Sequence, residues 1–213
     1  MKDRPVIDVS GLPAYAFGHR SILWWGLLSM MALEGMVFVV LIVAYFYMRQ
    51  YFDKWPPGAP PPDLTYGTIN TIVLFASVIP NVIYKRAAER EELGKVRIWL
   101  TVSAAFAVAF IVIRAFEFGS LNCSWDTNAY GSVVWTLLGA HSIHLITDFI
   151  DTVVLVVLMF TGPIEGKRFV DVSENALYWY FVVAAWVPVY VVLYFGPYLI
   201  CRRQSEREGR ERI

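Results

Sequence analysis

Residues 133–160 read VVWTLLGAHSIHLITDFIDTVVLVVLMF, an apolar run whose only ionisable side chains are His141, His144, Asp148 and Asp151. A bilayer hydrocarbon core about 30 Å thick takes roughly 20 residues of helix at 1.5 Å each, so this run is long enough to cross. Four other stretches also reach that length: 22–48, 66–84, 98–118 and 176–200. Hydrocarbon offers the backbone no hydrogen-bond partner, and the runs are too long and too uniformly apolar for barrel strands, so each is predicted to be a helix. The expected fold is all-α: a polytopic membrane protein with a bundle of about five transmembrane helices over 22–200. A polar arm (1–21) precedes it and a charged tail (201–213) follows.

Composition points the same way. Of 213 residues, 57% are apolar or aromatic and 17% are charged, against about 45–50% and about 25% in soluble domains. Eighteen basic and 18 acidic residues cancel, so no bulk field recruits nucleic acid. Cys123 and Cys201 are too few and too far apart for a zinc site or a disulfide framework, and they are expected to be inert. The first apolar run is too long for a secretory signal and lacks a cleavage site, so it is read as an uncleaved span.

Four loops separate the spans: Pro-rich 55–62, charged 85–97, polar 119–132, and one around Lys167 and Arg168. The prolines of the first suggest an extended connector. The N-terminal arm and the second and fourth loops hold ten Lys and Arg, and the first and third loops hold two. That bias predicts a cytoplasmic N-terminus and a C-terminus outside, although the five arginines of the tail oppose it.

Each ionisable residue inside a span costs about 2.5–3.5 kcal/mol at a helix centre, so it is expected to face protein or water. Glu34 lies near the middle of the first span, where a hydrogen-bonded carboxyl and a proton-related role are equally open. At 100° per residue, His141, His144, Asp148 and Asp151 occupy a sector about 80° wide, which predicts a buried helix contact or a lined cavity. A metal on His141, His144 and Asp148 is the weaker alternative, because the histidines are spaced by three rather than by the four of zinc helices. Arg114 and Glu117, also three apart, form either an interfacial pair with Arg114 snorkelling or a link to the fourth span. No phosphate loop or nucleophile elbow supports soluble-type catalysis, and neither inverted repeats nor broken helices suggest a transporter.

Several motifs in order resemble subunit III of the haem–copper terminal oxidases, the cytochrome c and quinol oxidase family, in its short five-helix bacterial form. They are Glu34-Gly35-Met36-Val37-Phe38 in a span ending Ala44-Tyr45-Phe46-Tyr47, Trp55-Pro56-Pro57, and Asn70-Thr71 through Ser77. Arg114-Ala115-Phe116-Glu117-Phe118, Ala129-Tyr130-Gly131-Ser132, Gly139-Ala140-His141-Ser142-Ile143-His144 and Glu174 through Phe181 follow, with Trp186 further on. The likeness spans Trp24 to Tyr194.

This resemblance implies a subunit with no catalytic residue, metal or haem of its own. It implies packing on subunit I, contact with subunit II and other respiratory-complex subunits, and bound phospholipid. Haem and copper would sit in those partners, in a bacterial inner membrane. It also implies support for proton uptake and for stability during oxygen reduction, with Glu34 as the family's buried carboxylate and His141 and His144 as its histidine pair. The accessory subunit of a nitric oxide reductase remains an alternative, as does a stand-alone metalloenzyme using His141, His144 and Asp148. The chain departs from the family pattern at Leu33 (commonly Ser), Asp148 (Gly), Tyr180 (His) and Val183 (Asp). The expectation is that Asp148 and Asp151 move the missing carboxylate onto the fourth helix. The two extra N-terminal helices of longer members, which embrace lipid, are not expected here.

Overall fold

In a computed structural model the described residues are 15–52, 54–58, 60 and 62–199. They form five long helices: α1 (Ile22–Arg49), α2 (Leu64–Glu89), α3 (Leu93–Gly119), α4 (Ala129–Thr161) and α5 (Gly166–Tyr190). A π-helical stretch, Val191–Phe195, carries α5 on towards residue 199. All five are long and apolar enough to cross a membrane. The chain is a multi-pass membrane protein of all-helical class, and no strand occurs among the described residues.

Three helices start on a side-chain cap that satisfies an orphan N–H. Ser21 accepts from Leu23 N, Asp63 from Thr65 N, and Asn128 from Gly131 N. The helices outrun the apolar stretches that announce them. α4 has 33 residues, about 50 Å at 1.5 Å each, against a hydrocarbon core of about 30 Å.

Charged residues expected in loops therefore become helix ends. Lys85 pairs with Glu89 in the last turn of α2, Lys95 with Glu92 at the start of α3, and Lys167 and Arg168 open α5. Once the backbone is hydrogen-bonded inside the bilayer, continuing the helix to the headgroups costs less than breaking it, and long basic side chains tolerate that depth.

The Pro-rich loop departs from the extended connector expected of it. It turns back so that Trp55 is 1% exposed, edge-on to Tyr45 and Tyr130, with its indole N–H donating to Tyr45 Oη at 2.8 Å. An indole gains both apolar contact and a hydrogen-bond partner by that return. Asn128 holds the loop from the other side through Pro57 O at 3.0 Å.

α2 and α3 form a tight hairpin, α5 packs on α2 and α4, and α1 stands at the edge against α4 and α5. Half of the most apolar window of α5 is buried (50%), against 11% for α1. α5 is therefore the central post, and α1 leaves most of its surface for lipid or a partner. Tyr15 lies over Gly166 at the start of α5 and donates to Glu91 at 2.8 Å. The polar arm expected over 1–14 and the charged tail expected over 201–213, Cys201 included, lie outside the described residues.

Candidate functional site

Two polar clusters lie inside the bundle. The first joins α2, α3, α4 and the π stretch. Glu117 is its centre: Arg114 pairs with its Oε2 at 3.0 Å, Asn70 Nδ2 donates to the same oxygen at 2.8 Å, and the Tyr194 hydroxyl donates to Oε1. Arg114 and Glu117 are buried, so neither snorkels to the interface. The guanidinium instead stacks over Trp186 at 4.1 Å and Phe110 at 4.8 Å, which shelters a cation within the bundle.

Arg114 Nη2 also meets His141 Nδ1 at 3.3 Å. Arginine only donates, so Nδ1 must be the unprotonated ring nitrogen. Nε2 then carries the hydrogen and donates to Val182 O at 3.1 Å. His141 is thus a neutral, fully buried bridge between α3 and α5.

The second cluster lies where α1, α4 and α5 meet. Glu34 follows the start of α1 by twelve residues, Tyr178 follows the start of α5 by twelve, and Asp148 precedes the end of α4 by thirteen. All three therefore lie about 18–20 Å from the same end of the bundle. Tyr178 donates to Glu34 Oε2 at 2.9 Å, and His144 Nε2 faces that oxygen at 3.8 Å. His144 Nδ1 donates to Ala140 O at 2.7 Å, which leaves Nε2 as the nitrogen able to share a proton with Glu34.

Asn175 is the hub of the rest. Its amide nitrogen reaches Asp148 Oδ1 (3.4 Å), Asp151 Oδ2 (3.2 Å) and Thr152 Oγ1 (3.3 Å), and its carbonyl accepts from Tyr84 at 3.1 Å. Asp148 is buried and Asp151 is exposed. A cleft of about 650 Å³ opens beside them, lined by Glu34, Asp148, Asp151, Asp171 and Glu174 together with apolar side chains of α1 and α4.

The stripe expected on α4 exists, but its members serve different neighbours. His141 turns to Arg114, His144 to Glu34, and the two aspartates to Asn175. The three-ligand set of the metal alternative is not assembled, since His141 spends both nitrogens on Arg114 and Val182. Among the described residues, no group of three or more His, Cys, Asp or Glu is arranged to hold a metal ion. Cys123 is buried, and burial pushes its thiol up, away from nucleophilic thiolate.

Residue-type reasoning passed over Asn70, Tyr84, Asn175, Tyr178 and Tyr194. The available signal was an amide or phenol recurring at helical spacing on faces that are otherwise apolar.

The model of the family described as cytochrome c oxidase subunit III matches residues 12–198. A cytochrome c oxidase subunit 3 of Thermostichus vulcanus is 24% identical over 184 residues, covering 84% of this chain and 90% of that one. A probable cytochrome c oxidase subunit 3 of Mycobacterium tuberculosis is 31% identical over 179 residues, covering 80% and 86%. A protein named heme-copper oxidase subunit I+III, from Aeropyrum pernix, is 27% identical over 185 residues, covering 82% of this chain and 22% of its own length.

Proposed function

Because this chain belongs to the cytochrome c oxidase subunit III family, we propose that it is a non-catalytic subunit of an aerobic respiratory haem–copper oxidase. It packs on subunit I, with subunit II and other respiratory subunits near by, and it assists proton uptake and the endurance of the complex during oxygen reduction. Haem and copper belong to the partners in this reading. The complex sits in a bacterial inner membrane, with the N-terminus of the chain on the cytoplasmic side.

One observation carries the reading: in the Aeropyrum pernix relative, subunits I and III are named as parts of one protein. Such a fusion makes sense for partners that work side by side. The arrangement of this chain agrees with an accessory part. Its buried Arg114, Glu117 and His141 are engaged with one another, which suits a scaffold better than a reaction centre. Glu34, with Tyr178 and His144 around one of its oxygens, is the group we assign to proton exchange.

Gentle detergent purification, identification of the copurifying chains and a haem spectrum test the reading together. A subunit I carrying copper beside its haem supports it, and one carrying non-haem iron in place of that copper makes the assembly a nitric oxide reductase instead. A chain that purifies alone, carries metal and turns over substrate overturns it.

A further inference from the structure

We infer that the cleft between α1, α4 and α5 is a docking groove for a transmembrane helix of a neighbouring subunit, one that presents Lys or Arg at the depth of Asp148 and Asp151. The inference rests on the reading that the chain works inside a multi-subunit membrane complex.

The shape of the cleft suits a helix edge. It holds about 650 Å³, with Leu27 and Met30 of α1 on one wall and Val154 and Leu158 of α4 on the other. Lipid tails could wet those walls, but not the floor. Asp148 and Asp151 lie there, and a carboxylate facing hydrocarbon costs about 2.5–3.5 kcal/mol near a helix centre.

The charge is one-sided. Among the described residues, five carboxylic acids line the cleft and no Lys or Arg does. Asp171, at the mouth, has Lys167 and Arg168 one turn away on its own helix. The two deeper aspartates have no such help: among the described residues, no cation stands within salt-bridge distance of either. Asp148 is only 3% exposed, yet its hydrogen bond from Asn175 is 3.4 Å long, beyond the usual 2.7–3.2 Å. A buried acceptor aimed into a cleft and held so loosely has capacity for a stronger donor.

A basic side chain from a neighbouring span supplies that donor. Its charge-assisted hydrogen bonds reach Asp148 and Asp151, and the apolar remainder of the same helix covers the walls. An acyl chain would cover the walls and leave both aspartates with only the Asn175 amide as donor.

The test uses the assembled complex with a photo-reactive amino acid at Met30, which is 42% exposed on the α1 wall. Irradiation and mass spectrometry of the adduct are expected to yield a membrane-spanning peptide with Lys or Arg within one turn of the labelled residue. Asp151→Asn changes an exposed side chain and so spares the fold; it is expected to lower the adduct yield roughly fivefold or more, with Asp148→Asn as the second variant. A phospholipid adduct, a span without a basic residue, no adduct, or a yield unchanged in both variants overturns the inference. A lipid adduct in a complex that still contains subunit I overturns this inference alone, whereas a preparation without any other subunit overturns the parent reading as well.

Discussion

Tyr178 of α5 donates its hydroxyl to Glu34 of α1 at 2.9 Å, and so ties the outlying helix to the central one by a hydrogen bond placed deep within both. His144 of α4 faces the same oxygen at 3.8 Å, and these polar contacts give α1 a directional preference that apolar contact alone would lack against lipid.

Glu34→Gln preserves an oxygen that can accept from Tyr178 and replaces the carboxyl function by an amide. The complex is expected to assemble normally and to lose no more than about twofold in sustained turnover, about 0.4 kcal/mol in barrier. Oxygen consumption followed to exhaustion checks this, and outright loss of electron transfer would contradict the accessory assignment.

Breaking the Arg114–Glu117 pair strands one charge in a buried site. Glu117→Leu or Arg114→Met alone is expected to cost about 3–5 kcal/mol of stability, and the double replacement much less. A double-mutant cycle by denaturation in detergent measures the difference, and additive losses would show that the two residues act separately.

A methyl group at Gly67 would collide with the Tyr194 ring. Gly67→Ala is therefore expected to push Tyr194 away from Glu117 and to destabilise the chain by about 1–3 kcal/mol, the usual range for overpacking. Tyr194→Phe should then cost less in the Gly67→Ala background than in the wild type, because the hydrogen bond is already broken. Thermal unfolding of the single and double variants reads this.

Asp148→Leu removes an acceptor from Asn175 and a carboxyl group from the cleft. The expected outcome is a lower yield of copurified subunit I at equal expression, and an unchanged complex would refute it.

The cap of α2 titrates. The Thr65 backbone N–H, then its hydroxyl, hold the Asp63 carboxyl below its ordinary value of 3.8. A depressed value means that the contribution is fully present above 3.8 and is lost as the pH falls below it. Amide exchange at Thr65 should rise as the pH drops from about 5 towards 3, relative to the intrinsic rate. In Asp63→Asn that pH step should vanish.

The α3 motif shows how far residues alone carried the site. Arg114 and Glu117, three apart, could be read as a pair from spacing, but whether they sit at the interface or in the core could not. Only Asn70, His141, Trp186 and Tyr194, brought from three other parts of the chain, turn the pair inward. The α4 stripe is similar. Spacing placed His141, His144, Asp148 and Asp151 on one side of a helix, and it could not assign them to three separate neighbours.

By itself the sequence determined the number of crossings, the helical class and the family, because hydrocarbon thickness and unsatisfied backbone groups act on any apolar run of sufficient length, and ordered motifs survive in the linear text. Tertiary structure alone decided which polar groups meet, that Trp55 folds back into the core, and that a cleft lined by acids opens beside α1. Those outcomes depend on how helices rotate and pack about one another, and such contacts join residues far apart in the chain that carry no local mark of their partners.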